Sequence, residues 1–347
     1  MNELIIKQAN QIRIRRGLLA TVSALALFGS MSRAKSAESD HPPVWIELGG
    51  QFAQEQAGQE AYVPAFIAAS PFATPASELE KSSRASWDGT ASFAFETDDG
   101  WIFSAAVRYG KTSRKKTANH QTAHASHYYS GKYVGGYDAY QLFRVKASES
   151  HTVLDFQAGK DVGLGSFGNS TLSAGIRFAQ FNASTNVQAQ SQPTNINGYG
   201  YYHVFRAQLD ATRHFSGVGP ALSWNASTSL FGDRSAGVAV DWGINGAVLF
   251  GRQRVNEEHQ TTDNYKHYFR YLNIATAHGE ASRNRNVVVP NLGGFAGLSW
   301  RAPNAKVTFG YRADFYFGAM DGGLDTRKTY DRGFFGPYAA VSIGLGG

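Results

Sequence analysis

Alternation of apolar and polar residues organises the C-terminal end of the chain. Between Lys306 and Phe317 every second residue is apolar, while Arg312 and Asp314 fall on the opposite face. The stretch Phe335–Leu345 alternates in the same way. A period of two predicts β-strands, because successive side chains leave a strand on opposite sides. Alternation alone does not say whether the apolar face points into a core or out to lipid.

The same period recurs upstream and sets the predicted number of strands. If Phe205–Leu230 is one bent strand, the pattern predicts ten strands in all. If Gly217–Pro220 divides that stretch into two strands, a further strand near Tyr265–Ala277 would bring the number to twelve. Both numbers are even; the sequence favours ten strands, with twelve as the alternative.

The connections between the predicted strands alternate in length. The short ones include the turn Asp98-Asp99-Gly100 and residues 302–304, and the long ones are predicted loops at 53–84, 111–150, 183–204, 252–285 and 318–333. Outer-membrane barrels have short periplasmic turns, longer extracellular loops and an even number of strands, whereas a soluble sandwich has no reason to sort its loops by length. The fold class predicted is therefore all-β, an antiparallel transmembrane up-and-down β-barrel.

The N-terminus has the order of regions found in a secretory signal peptide. Basic residues such as Arg15 and Arg16 precede an apolar run, Leu18–Phe28, which small residues follow. Cleavage after Ala34 or Ser36 fits the small-residue rule, so we expect residues 1–36 to be removed and 37–347 to form the barrel. The apolar run is too short to span a bilayer as a helix.

Removal of that segment changes the charge of the chain. Of the 33 basic and 27 acidic residues, six basic residues and one acidic residue fall within 1–36, which leaves 27 and 26. The exported part is then almost neutral, and nucleic acid is not an expected partner. The chain has no cysteine, so a disulfide scaffold is excluded.

With the apolar faces turned to lipid, the opposite faces of the strands converge on a lumen. The charged residues predicted to line this pore are Arg108, Asp155, Arg177, Arg206, Asp210, Asp241, Arg312 and Asp314. Their signs balance, and unpaired charges in a poorly hydrated lumen are costly, so ion pairs across the lumen are one interpretation. Selection of a permeating solute is the other. A barrel of this size lies between a filled one and an open channel.

Several short patterns carry a resemblance to a known family. They are Gly217–Trp224, the two ends of the segment Asp241–Arg252, Gly310–Asp314 and Gly336-Pro337-Tyr338. In these patterns the chain resembles the Legionella-type pore-forming outer-membrane protein family, most clearly over residues 150–347. The resemblance implies an outer-membrane β-barrel of porin-like character, and it does not supply a substrate.

Motifs for enzymatic, metal or cofactor chemistry are weak. Gly163–Gly168 matches a dinucleotide fingerprint, but a period-two segment follows it where a helix is needed, so we predict a turn and no cofactor. His120, His124 and His127 have a metal-like spacing within a predicted polar loop, and we predict no metal there. His151, His203 and His214 are placed near strand ends, as the base of a membrane-edge hydrolase would be.

The sequence thus predicts porin-like passive transport of small polar solutes in a bacterial outer membrane. A structural or adhesive surface barrel acting through long outer loops is the alternative, and an outer-membrane lipid hydrolase is a third possibility. The expected partners are outer-membrane lipid, the barrel-assembly machinery and small polar solutes. The sequence pattern does not indicate the solute, the oligomeric state or the presence of a plug.

Overall fold

The fold is that of a computed structural model. It describes residues 44–57, 84–118, 121–129, 132–163, 168–191, 194–196, 201–232, 236–267, 270–322 and 329–345. These all lie within one compact unit, Asp40–Gly347. The predicted signal peptide, residues 1–36, lies outside the described residues.

Strands account for almost all of the described residues. They are β1 Val44–Ala57, β2 Arg84–Glu96, β3 Trp101–Ala118, β4 Gln121–Tyr129, β5 Lys132–Asp161, β6 Asn169–Ser191, β7 Thr194–Ile196, β8 Tyr201–Gly232, β9 Gly237–His267, β10 Arg270–Ala302, β11 Ala305–Asp321 and β12 Thr329–Leu345. Over the ranges described, no helix is long and apolar enough to cross a bilayer.

Ten of these strands close into a barrel. The wall runs in the order β1, β2, β3, β5, β6, β8, β9, β10, β11, β12, and all neighbours are antiparallel. The ring is sealed where β1 pairs with β12, with Val44 opposite Leu345. Strand β4 pairs with β5 and β7 with β8, so these two add to hairpins rather than to the wall. The predicted antiparallel barrel of ten strands is confirmed, and Phe205–Leu230 falls within the single strand β8.

The connections at one end of the barrel are short, as the sequence predicts. Strands β2 and β3 are joined by Thr97–Gly100, where Gly100 has a positive φ of 75° that glycine adopts without strain. Strands β10 and β11 are joined by Pro303 and Asn304. This end is called the short-turn end below.

The long loops predicted at the other end are largely wrong. Strand β3 extends to Ala118 and β5 begins at Lys132, so most of 111–150 is wall or hairpin. Strands β9 and β10 likewise occupy nearly all of 252–285, and strands also extend into 183–204 and 318–333. Cross-strand hydrogen bonds continue there although the outward residues have become polar. Of the predicted loop 53–84, residues 58–83 lie outside the described residues.

An apolar band surrounds the short-turn part of the wall. Many of its outward side chains are exposed by 40 % to 62 %, and examples are Leu48, Phe103, Phe156, Ile176, Leu222, Ile244, Leu298, Phe309 and Ile343. On β9 the band runs from Val238 to Phe250. At about 3.3 Å per residue and a tilt of about 40°, that stretch rises about 30 Å, the thickness of a hydrocarbon core.

The band ends at register-paired positions on four adjacent strands. The last apolar outward residues are Phe178, Val218, Phe250 and Val288, and the next outward residues are the polar Gln180, Ser216, Arg252 and Asn286. This boundary divides the barrel into a membrane segment, on the short-turn side, and an outer segment beyond it. Beyond the boundary the inward faces combine apolar residues, such as Phe181, Val187, Leu209 and Val255, with buried charged and amide groups.

Candidate functional site in the barrel lumen

A cluster of charged and amide side chains crosses the lumen of the membrane segment. Arg108 on β3 donates from Nη1 to Asp314 Oδ2 on β11 at 2.5 Å, and both side chains are buried. Arg312 Nε lies 3.3 Å from the same Asp314 oxygen. A buried carboxylate held by two guanidinium groups is stable because its charge is compensated where water does not reach. We call this cluster, with the Arg177 group described next, the polar layer.

Arg177 on β6 is the second centre of the polar layer. Its Nε and Nη2 donate to the two oxygens of Asp155 at 2.7 and 2.9 Å, a bidentate pair. Its Nη1 donates to Asn245 Oδ1 at 2.8 Å and also to Asn291 Oδ1. One guanidinium thereby ties together β5, β6, β9 and β10.

A polar cavity of about 250 Å³ lies next to the polar layer, toward the short-turn end. Asp241 on its wall is 3.1 Å from Arg301 Nη2 and 3.3 Å from Lys306 Nζ. Glu47, which accepts from Ser342 Oγ at 2.6 Å, and Tyr338 also line it. The cavity has room for several waters or one small polar molecule.

An aromatic layer closes the lumen at the boundary between the two segments. The rings of Phe181 on β6 and Phe334 on β12 stack with centroids 5.8 Å apart, although these strands stand on opposite sides of the ring. Phe215 stacks on Phe181 at 5.7 Å, and Tyr316 meets it edge-on at 4.8 Å. None of the three phenylalanines is exposed to solvent. The layer is therefore a packed core formed by the wall itself.

Two inward glycines make room for this layer. Gly217 and Gly251 are register partners on β8 and β9. A Cβ on Gly217 would lie 2.6 Å from the Phe215 ring, and a Cβ on Gly251 would lie 2.8 Å from it. Larger side chains here would push Phe215 out of the stack.

A buried histidine adjoins the aromatic layer. His151 Nε2 lies 3.0 Å from Asp88 Oδ2, its ring centroid is 4.0 Å from that of Phe334, and Ser86 Oγ donates to the other Asp88 oxygen at 2.9 Å. The inward Gly110 supplies the space for this pair, because a Cβ there would overlap both Asp88 and His151. The histidine therefore lies inside the barrel, not at the lipid-facing edge where a membrane hydrolase needs its base.

The outer segment contains ion pairs among its apolar inward residues. Arg332 Nε on β12 lies 2.7 Å from Glu149 Oε1 on β5. Arg213 Nη2 donates to Glu257 Oε1 at 3.1 Å. Asp321 is held by Arg283 and lies 3.5 Å from Arg285. Charged inward groups thus lie on both sides of the aromatic layer.

Six of the eight residues predicted to line the pore are placed on the inner face and in ion pairs. These are Arg108, Asp155, Arg177, Asp241, Arg312 and Asp314. The prediction is wrong for Arg206 and Asp210, which point outward: Leu209 and Ala211 are buried, so the even-numbered residues of β8 face out. Asp210 accepts from Asn186 Nδ2 at 2.5 Å on that outer surface. Both residues lie beyond the apolar band, where charges on the outer face meet water instead of lipid.

The aromatic layer is not among the features predicted from the sequence. On β6 and β8 the lipid-facing residues, such as Phe178 and Val218, have even numbers. Phe181 and Phe215 have odd numbers and therefore belong to the opposite, inward face. A parity count carried past the boundary would have placed both rings in the lumen. The inward glycines next to Phe215 were a second usable signal.

His214 Nδ1 lies 2.6 Å from Asn182 Oδ1, and the side chains of His120, His124, His127 and His203 lie outside the described residues. Among the side chains that are described, no group of three or more histidine or acidic residues could hold a metal ion. The glycine-rich segment at 163–168 is followed by strand β6, as predicted.

Comparison with solved structures returns bacterial outer-membrane barrels at low similarity. The translocator domain of the autotransporter NalP from Neisseria meningitidis is 10 % identical, with a TM-score of 0.23 and 97 % of each chain covered. The Pseudomonas putida toluene transporter TodX is 9 % identical, with a TM-score of 0.22 over 91 % of this chain and 96 % of that one. Scores this low carry no argument about function. Among curated proteins, no sequence relative is found.

A family model gives the identification that these structures do not. It describes the Legionella pneumophila major outer membrane protein precursor and matches residues 77–344, which include every wall strand except β1. The matched range contains the polar layer and the aromatic layer. With its closed barrel and lipid-facing band, the chain belongs to the Legionella pneumophila major outer membrane protein family.

Proposed function

We propose that this outer-membrane barrel is a gated, porin-like channel for small polar solutes, with the aromatic layer as its gate. The observation that carries the proposal is the order of groups along the lumen. A polar cavity and the polar layer lie on one side of Phe181 and Phe334, and further inward charges lie on the other. A permanently filled barrel has no need of charged groups at so many levels, since apolar packing serves stability equally well.

Opening requires that the aromatic layer separates. The rings come from β6, β8, β11 and β12, so rotation of a few side chains or a small change in barrel shape would part them. Loss of one packed aromatic pair costs about 0.5–1.5 kcal/mol beyond the burial of its surface. The closed state is thus favoured, and openings should be rare and small.

Planar-bilayer recording of refolded protein tests the channel. We expect brief, low-conductance steps for the wild type and larger, longer openings for the double variant Phe181→Ala/Phe334→Ala, because the layer then has a void at its centre. Phe309→Ala, which removes a ring from the lipid-facing surface of β11, is the matched control and should behave as the wild type. The absence of conductance steps from all three proteins would contradict the proposal that the barrel is a channel.

A second candidate is a surface barrel that acts through its outer segment. It is favoured by the length of β9 and β10, which continue as paired strands well beyond the apolar band and carry polar outward residues such as Arg254, Asn256 and Glu258. Such a barrel would give no conductance steps in planar-bilayer recordings. Exchange of these outward residues would then change cell adhesion without changing the heat-modifiable migration of the folded barrel in detergent gels.

A further inference from the structure

Four basic side chains gather on the outer surface of β3 and β5, starting at Lys111 just beyond the apolar band and continuing away from it to Lys115, Lys146 and Arg144. Lys115 and Lys146 are register partners on the same outward face, and Lys111 and Arg144 lie on the same face nearby. All four side chains are exposed. Like charges directly opposite one another destabilise an antiparallel pair. We call these four residues the basic face.

Neutral residues border the basic face on β3, β5 and β6. The described outward side chains between and beside its members are hydroxyl and amide groups: Ser113, Ser148, Ser150, Asn182, Ser184 and Asn186. Across the described outward surface of β3, β5 and β6 beyond the band, none is acidic, and none of the four basic residues forms an ion pair with a described residue. The repulsion is therefore not offset on β3, β5 and β6 themselves, and the acidic group on the adjacent strand β8, Asp210, accepts from Asn186, the register partner of Lys146.

The outer surface of β8 to β10 differs from the basic face at the corresponding level. There Arg252 and Arg254 share the surface with Asp210, Glu258 and Glu280. Mixed signs are the ordinary composition of a water-exposed barrel rim. The clustering of one sign on β3 and β5 consequently belongs to one side of the barrel.

The position of the basic face along the barrel axis, relative to the membrane interface, indicates the kind of partner it binds. Lys111 is the register partner of Trp87, an outward residue that is 75 % exposed and packs edge-on against Phe52 at 5.0 Å. Tyr109, also outward and half exposed, precedes it on β3. Aromatic residues of this kind mark the membrane interface, so the basic face begins where lipid head groups lie.

We propose that the basic face binds the phosphate groups of an outer-leaflet phosphoglycolipid. Phosphate is the anion that lysine and arginine bind best, and neighbouring serine and asparagine side chains can donate further hydrogen bonds to it. The lipid's acyl chains would lie on the apolar band below, against Val107 and Leu154, which are register partners. That continuity favours a lipid over a free anion. The proposal does not depend on channel activity.

Binding of a bisphosphorylated diglucosamine lipid to the refolded barrel in neutral detergent tests this proposal. Native mass spectrometry would count bound lipid across a titration. We expect the wild type to bind the lipid with an affinity that falls as the salt concentration rises. A quadruple variant should bind it at least about tenfold more weakly. Its substitutions are Lys111→Gln, Lys115→Gln, Arg144→Gln and Lys146→Gln. The double variant at 115 and 146 should show an intermediate loss.

Lys160→Gln is the matched control. Lys160 is also an outward lysine of β5, but it lies at the short-turn end with its Nζ 5.9 Å from the Trp101 ring centroid, and its loss should leave the affinity unchanged. Heat-modifiable migration would show that each variant is folded. Equal binding by the quadruple variant, equal binding of the dephosphorylated lipid, or full displacement by millimolar inorganic phosphate would each overturn the proposal.

Discussion

The outer faces of the two segments have opposite polarity, and strand β9 contains both. In the membrane segment Ile244 faces out and Asp241 faces in, whereas in the outer segment Arg254 faces out and Val255 is fully buried inside. The backbone alternation is the same throughout. What changes is the medium outside the wall, because hydrocarbon accepts apolar groups and water accepts charged ones. One strand can thus obey the rules of a membrane protein and of a soluble protein in turn.

The interiors of the two segments differ in how their buried charges are arranged. In the membrane segment Arg108, Asp314, Arg177 and Asp155 compensate one another through short ion pairs. In the outer segment separate ion pairs, such as those of Arg213 and Arg332, lie among apolar side chains, and the aromatic layer adjoins them. Buried ion pairs are sensitive to loss of a partner, while apolar packing is sensitive to loss of volume. This difference gives the largest of the expected effects.

Asp314→Ala should destabilise the barrel most. It leaves Arg108 without its 2.5 Å partner and removes the counter-charge of Arg312 in the same buried place. Loss of one member of a buried pair costs about 3–5 kcal/mol. Urea unfolding of the protein from lipid vesicles would give the free energy. Val255→Ala, at a fully buried apolar site of the outer segment, should cost less, about 1–3 kcal/mol. The reverse order would mean that the lumen charges are well hydrated.

Identical substitutions on the outward face of β9 would separate the two media. Ile244→Lys places a charge at the centre of the apolar band and should cost about 2–4 kcal/mol of folding free energy in vesicles. Asn256→Lys, on the same face beyond the boundary, should change the free energy by less than about 0.5 kcal/mol. Equal costs at the two positions would contradict the boundary described above.

The smallest expected effect belongs to an exposed pair of the outer segment. Glu258 Oε1 lies 3.2 Å from His278 Nε2, and both side chains are more than half exposed. Glu258→Gln should lower the free energy of unfolding by no more than about 1 kcal/mol, because water and salt screen such pairs. Repeating the measurement at high ionic strength should abolish the difference. A large, salt-independent loss would show that this surface is not in water.

The barrel could be predicted from sequence because the apolar band imposes a strict period of two. In β11, Phe309 and Tyr311 face out while Thr308 and Asp314 face in, as the alternation requires. The ring closure, by contrast, could not be predicted from periodicity. It depends on the register between β1 and β12, which no local pattern contains.

Prediction failed in the outer segment because the alternation weakens there. Asn182 to Val187 alternates only between polar residues and small ones, which also suits a loop. A lumen position for Arg206 and Asp210 follows only if charged residues avoid the outer face of the wall. That condition holds only where lipid covers the wall. The turn chemistry at Gly100 was recognisable because its backbone conformation favours glycine.

The pairing of the first strand with the last has a consequence for biogenesis. Before β11 and β12 join the sheet, Arg108 lacks its partner Asp314 and Phe181 lacks its partner Phe334. A partly formed sheet inserted at that stage would expose unpaired charges to lipid acyl chains. Contacts between residues so far apart in the chain form slowly. We therefore expect insertion to be a single late event that depends on a catalyst able to shelter the unsealed edge, and truncated products to be degraded in the periplasm rather than inserted.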